Sequence, residues 1–133
     1  MERALQETVW QRAGHRCEYC HFPAAHAELP FAIDHIVARK HRGRTEAANL
    51  AFACFYCNSY KGPNLSGIDP VTGEMARLFH PRRDDWSQHF RWRGPWLVGL
   101  TSIGRATIEV LRINHPDAIA VRESLRSEGT FLI

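Results

Sequence analysis

Long apolar runs are missing from this chain: no stretch approaches the ~20 residues that a membrane-spanning helix requires. An apolar core of the secretory-leader kind is not expected at the start either, since Met1-Glu2-Arg3 runs into a polar amphipathic stretch. No cysteine stands outside two Cys-x-x-Cys pairs, so no odd thiol is left for an intermolecular bridge. There is no large charge excess of either sign. The formal net charge of +3 does not by itself argue for a nucleic-acid partner. Internal repeats, low-complexity tracts and a clear linker are also lacking. What remains is 133 residues with 44% hydrophobic and 23% charged side chains, which fits one soluble globular domain over 1–133 with a modest core. A cytoplasmic location is the default expectation, and a reducing compartment favours metal thiolates over disulfides.

The order of local signals is mixed. Leu5, Val9 and Ala13 recur at helical spacing over about 2–12, and Gly14 is a natural stop. Leu29 to Ala38, interrupted by Pro30, reads as a strand that carries Asp34 and His35. Asn49 to Ala53 reads as a second short strand, and Asn58 to Lys61 as part of a short helix ended by Gly62-Pro63. Further on, Met75 to Phe79 and His89 to Arg93 alternate enough to suggest a hairpin with each other. Thr101 to Ile113 and Pro116 to about Ser127 suggest two helices, with Arg105, Arg112, Arg122 and Arg126 on their outer faces. The expected class is α+β: a small ββα core over about 16–62 with an amino-terminal helix, followed by a packing extension of a hairpin and helices over about 63–133.

The two cysteine pairs, Cys17/Cys20 and Cys54/Cys57, carry the first chemical signal. A structural zinc site wants four thiolate or imidazole ligands in a closed tetrahedron, and each pair supplies two from one tight turn. The competing readings are four small buried side chains or a redox Cys-x-x-Cys. His15 and His21 flank the first pair as substitutes, but four thiols suffice. The insert between the pairs contains Asp34-His35. Zinc would therefore staple the amino-terminal pair to the end of the segment that bears the acid and the imidazole.

Hydrolysis of a phosphodiester needs an activated water and charge stabilisation at the phosphate. A histidine suits the proton transfer, and a carboxylate with an amide oxygen makes a hard half-site for Mg²⁺ or a similar ion. The series Cys17-x-x-Cys20, Asp34-His35-Ile36, Asn49-Leu50, Cys54-x-x-Cys57-Asn58 and Lys61 resembles the HNH endonuclease family in its zinc-stapled ββα-metal form. The resemblance runs from about Arg16 to Lys61. It implies His35 as general base, Asp34 as metal-binding acid and Asn58 as second ligand to a catalytic Mg²⁺ or Mn²⁺. It also implies Asn49 as the residue that braces the loop and orients the base. Two departures concern the loop: Arg42-Gly43-Arg44-Thr45 replaces the Gly-Gly pair common in relatives, and Val37-Ala38 stands where proline is common.

Positive charge is concentrated after the Asp-His pair, in Arg39, Lys40, Arg42 and Arg44 with His41 between them, and again at Arg82-Arg83. These four residues and Lys61, one turn beyond Asn58, are candidates for nucleic-acid backbone contacts. A solvated surface loop is the bland alternative. The expected function is a metal-dependent endonuclease acting on double-stranded DNA, as a monomer or homodimer. A non-catalytic zinc-stabilised nucleic-acid-binding module is the alternative, and a zinc-stabilised protein-interaction domain a third reading. The segment Leu78 to Arg83 with Trp86, His89, Phe90 and Trp92 is similar to the tail of a bacterial subgroup of that family. His80 and His89 within it read as structural.

Overall fold

The computed structural model describes residues 1–131. It divides into two compact units, one formed by residues 1–65 with 80–84, the other by 66–79 with the residues from 85 onward. Helices and small antiparallel sheets are mixed in an α+β architecture. Among the described residues, no helix is long and apolar enough to cross a membrane.

In the first unit, helix α1 (Arg3–Arg12) buries Val9 against Leu50 and Phe52, with Leu5 and Ala13 packed around them. Strands β1 (Ala32–His35) and β2 (Leu50–Ala53) pair antiparallel, with Asp34 opposite Ala51 and His35 opposite Leu50. Every side chain of β2 is buried, as expected of a strand covered on both faces. Helix α2 (Phe55–Lys61) follows at once, its first turn capped by the Cys54 sulfur, which accepts from the Cys57 amide. It packs on both strands and completes the ββα core.

The first strand is shorter than the sequence suggests. Pro30 keeps its start at Ala32, and beyond His35 the chain leaves the ladder because the Asn49 side chain takes over the pairing of Val37. The connecting loop folds into a 3₁₀ turn over Arg39–His41, with Arg42 in the left-handed region (φ 69°). Gly43 N donates to Ala38 O across it. A Cβ on Gly43 would lie 1.6 Å from the Val37 carbonyl oxygen, so this glycine is required although its neighbour in the expected Gly-Gly pair is absent.

The second unit corrects the expected hairpin. Met75–Arg77 (β4) pairs with Ser66–Ile68 (β3), whereas Phe90–Arg93 (β5) pairs with Trp96–Gly99 (β6). Each strand has closed the shortest loop open to it. The Asp69-Pro70 and Thr72-Gly73 turn signals lie inside the first hairpin, and Gly94-Pro95 forms a two-residue turn with Gly94 at φ 58° in the second. A one-turn helix α3 (Trp86–His89) precedes β5, and α4 (Ser102–Leu111) and α5 (Pro116–Ser127) follow. Thr101 caps α4 by accepting from Gly104 N, and its Thr107 side chain bonds the Phe79 amide.

Two arginines expected on outer helix faces are engaged inward. Arg122 is only 2% exposed; it donates to Pro95 O at 2.8 Å and lies 5.4 Å from the Trp92 ring centroid. Arg105 grips both oxygens of fully buried Asp69 at 2.9 and 2.8 Å. Asp69 also accepts from Val71 N and Thr72 Oγ1, which locks the β3–β4 loop. The Arg105 guanidinium, with these neutral donors, holds the Asp69 carboxyl well below the usual carboxylate range.

Candidate active site and metal centre

The four cysteine sulfurs meet in the first unit, all buried, with their ligand atoms within 4.8 Å of one another. Sulfurs placed about 2.3 Å from a zinc ion at tetrahedral angles would stand about 3.8 Å apart. Cys20 Sγ and Cys54 Sγ are 3.8 Å apart. The amides of Cys20 and Cys57 point at the sulfurs of Cys17 and Cys54 at 3.5 and 3.4 Å, the turn geometry that lets a pair present two thiolates. Crowded thiols donating to one sulfur push Cys54 far down, while the same contacts push Cys20 and Cys57 up. Four thiolates cannot share this space without a cation, and the donor set fits a structural zinc.

The knuckle at Cys17 is tied to the hairpin by Glu18. Its amide donates to Phe52 O and its carboxylate accepts from Phe52 N, both at 2.8 Å. Arg82, on the segment 80–84 that returns to this unit, closes an ion pair with Glu18. Burial, and then the charge of Arg12, lower the Arg82 pKa to about 10. This member of the second basic cluster is therefore committed to the scaffold.

Asp34 and His35 leave β1 on opposite faces, as neighbours on a strand must. Asp34 points inward and is 5% exposed. It accepts from Tyr19 Oη at 2.7 Å and from the Lys61 ammonium at 3.2 and 3.1 Å on its two oxygens. Burial raises the Asp34 pKa, with Lys61 and the Tyr19 hydroxyl opposing the rise; burial and the adjacent carboxylate push the Tyr19 phenol well up. His35 is half-exposed at the strand end, with Nε2 2.8 Å from Thr45 Oγ1.

Asn49 is buried and joins two parts of the loop. Its Oδ1 accepts from Val37 N at 2.9 Å, while Nδ2 donates to Val37 O at 3.0 Å and Arg44 O at 2.9 Å. These bonds lie on either side of the basic turn and end one residue before Thr45. Contact with the His35 ring belongs to Thr45.

Asn58 sits half-exposed on α2, one turn before Lys61 on the same helix face. Lys61 is placed otherwise than a surface phosphate contact would need: it is 1% exposed. Besides Asp34, its ammonium donates to His35 O at 3.2 Å and Ile36 O at 3.0 Å. Arg39, Lys40, Arg42 and Arg44 are all exposed, and among the described residues no ion pair engages them. His41 is exposed with them, and Arg44 contributes its carbonyl to the Asn49 clamp.

Tyr19 and Thr45 are the partners that sequence reasoning passed over. Tyr19 had a faint signal, an aromatic inside a metal knuckle; Thr45 had none, because its contact spans a loop whose course only the fold settles.

A divalent ion would find oxygen donors in Asp34 and in the side-chain amide of Asn58, which makes no hydrogen bond among the described residues. A carboxylate offers about four lone-pair positions, and Tyr19 and Lys61 do not exhaust them. The set fits a hard cation in type, and the Lys61 ammonium contends for the same carboxylate.

No curated protein and no solved structure matches the chain. Residues 17–64, which span both cysteine pairs, the Asp34-His35 strand and α2, match the family model described as HNH endonuclease.

Proposed function

We propose that the first unit is a metal-dependent endonuclease that hydrolyses phosphodiester bonds of DNA, with His35 as the base. The observation that carries this reading is the placement of His35: half-exposed at the end of β1 and held by Nε2 at Thr45. With Nε2–H donating to the Thr45 hydroxyl, Nδ1 carries the lone pair and can take a proton from water. Asp34 and Asn58 would hold Mg²⁺ or Mn²⁺, whose chemistry is to neutralise charge on the phosphate and leaving oxygen. Asn49 acts through the loop, keeping the Thr45 segment in position. The exposed basic residues Arg39, Lys40, Arg42 and Arg44 would track the nucleic-acid backbone. Zinc on the four cysteines keeps α2 and the first knuckle in register with the hairpin. The chemistry is confined to the first unit. One such site makes a nick; a double-strand break needs a second protomer or a second event.

One observation favours a non-catalytic zinc-stabilised nucleic-acid-binding module instead: the Asp34 carboxylate already has a charge partner in Lys61. A plasmid-nicking assay separates the two. Nicking in Mg²⁺ or Mn²⁺ that is lost with chelator and in His35→Ala protein of unchanged zinc content supports the enzyme. Undiminished nicking by His35→Ala would refute its role as base, and DNA binding without cleavage would favour the module.

A further inference from the structure

Only two lysines occur in the chain, Lys40 in the exposed loop and Lys61 in the interior. The Lys61 ammonium lies among four oxygens: Asp34 Oδ1 at 3.2 Å and Oδ2 at 3.1 Å, His35 O at 3.2 Å and Ile36 O at 3.0 Å. Three N–H donors serve four acceptors, so the group has no donor to spare. It does here what a bound cation does. It neutralises the buried carboxylate and satisfies two carbonyls where β1 leaves its ladder.

We propose that Lys61 is a built-in counter-cation that competes with the divalent ion for Asp34, so that the ion is admitted only as the ammonium withdraws. The inference rests on the nuclease reading above and adds how access to its metal site is controlled. Charge balance is the first argument. One carboxylate and one ammonium sum to zero, and a dication beside an unmoved ammonium would set three positive charges against one negative in a water-poor setting. Placement is the second. Lys61 closes α2, Gly62 follows at φ 49°, and a four-carbon stem lets the ammonium swing out without moving the helix. Asn58, one turn earlier on the same face, has an amide free to complete the ligand set as Lys61 leaves.

The test uses zinc-loaded protein and amine-specific reductive methylation read by mass spectrometry, with Lys40 as internal control. Without added divalent ion, Lys61 should react at least tenfold more slowly than Lys40. Mn²⁺ at a concentration that supports nicking should accelerate Lys61 labelling and leave Lys40 unchanged. A Lys61→Gln variant, which keeps donors for the carbonyls but not the charge, should bind Mn²⁺ at least tenfold more tightly by electron paramagnetic resonance. Should that variant not fold, the wild-type labelling decides alone. Nicking in Mn²⁺ with Lys61 still protected overturns this inference and spares the nuclease. The absence of nicking under every condition removes the nuclease reading, and this inference with it.

Discussion

Replacing Asn49 with alanine should unfasten the loop that carries both the basic residues and the partner of His35. The side chain makes three hydrogen bonds, to Val37 N, Val37 O and Arg44 O, at 2.9 to 3.0 Å. At about 1 kcal/mol net for each, their loss amounts to about 3 kcal/mol, somewhat more if the freed Val37 groups stay out of reach of water. Stability should be read by urea unfolding of zinc-loaded protein and locally by hydrogen exchange at the Val37 amide, which should lose its protection in the variant. Asn49→Asp is the sharper probe. It keeps an acceptor for Val37 N, but it removes both donors and sets a carboxylate against two carbonyls, so it should cost at least as much as alanine. Nicking should fall by about a hundredfold in both variants if the Thr45 segment drifts by an ångström or so from His35. An Asn49→Ala protein with wild-type stability and a still-protected Val37 amide would refute the clamp. Normal stability with lost nicking would instead put Asn49 in direct contact with the chemistry.

Removal of zinc by a strong chelator, or Cys57→Ser, should unfold the first unit, since structural zinc in small domains contributes about 10 kcal/mol or more; release of one zinc per chain together with loss of near-ultraviolet dichroism is the measurement, and a chelated protein with unchanged unfolding would sink the site. Changing Arg39, Lys40, Arg42 and Arg44 to glutamine one at a time should lower the slope of log affinity against log salt by about 0.9 for each phosphate that the side chain neutralises in wild type; slopes that stay at the wild-type value would place the nucleic acid elsewhere. The Asp69–Arg105 pair should make the second unit acid-sensitive. The folded Asp69 carboxyl titrates below its unfolded value, so its stabilisation is present above about pH 4 and is lost as pH falls towards the folded value. Urea midpoints should drop in that range for wild type, whereas Asp69→Asn should be weaker at pH 7 and flatter below it; equal pH dependence in the two proteins would overturn this.

Much of the first unit was legible because its signals are local. A Cys-x-x-Cys turn needs only four residues to present two sulfurs, and two such turns imply a third dimension in which they meet. Helix α1 followed from the spacing of Leu5, Val9 and Ala13, and α2 from the break at Gly62-Pro63. The hairpin of the second unit was misread because alternation in Met75 to Phe79 and in His89 to Arg93 identifies strands without identifying partners. Loop closure chose the nearer partner in both cases. Arg105, Arg122 and Arg82 looked like solvent-facing charge because nothing in sequence distinguishes an arginine in water from one beside a buried acid, a carbonyl or a tryptophan ring.

By itself, the sequence determined the identity and order of the reactive groups: four thiols in two pairs, an acid beside an imidazole, and two amides after them. Those are fixed by covalent chemistry and short-range geometry. Only the tertiary structure decided what each group faces. Strand alternation turns Asp34 inward to Tyr19 and Lys61 and leaves His35 at the rim with Thr45. A buried carboxylate must find a positive or hydrogen-bonding partner, and packing α2 on the hairpin brings Lys61 to it across 27 residues of chain. That pairing turns a lysine expected at a phosphate into the cation against which any metal at Asp34 has to compete.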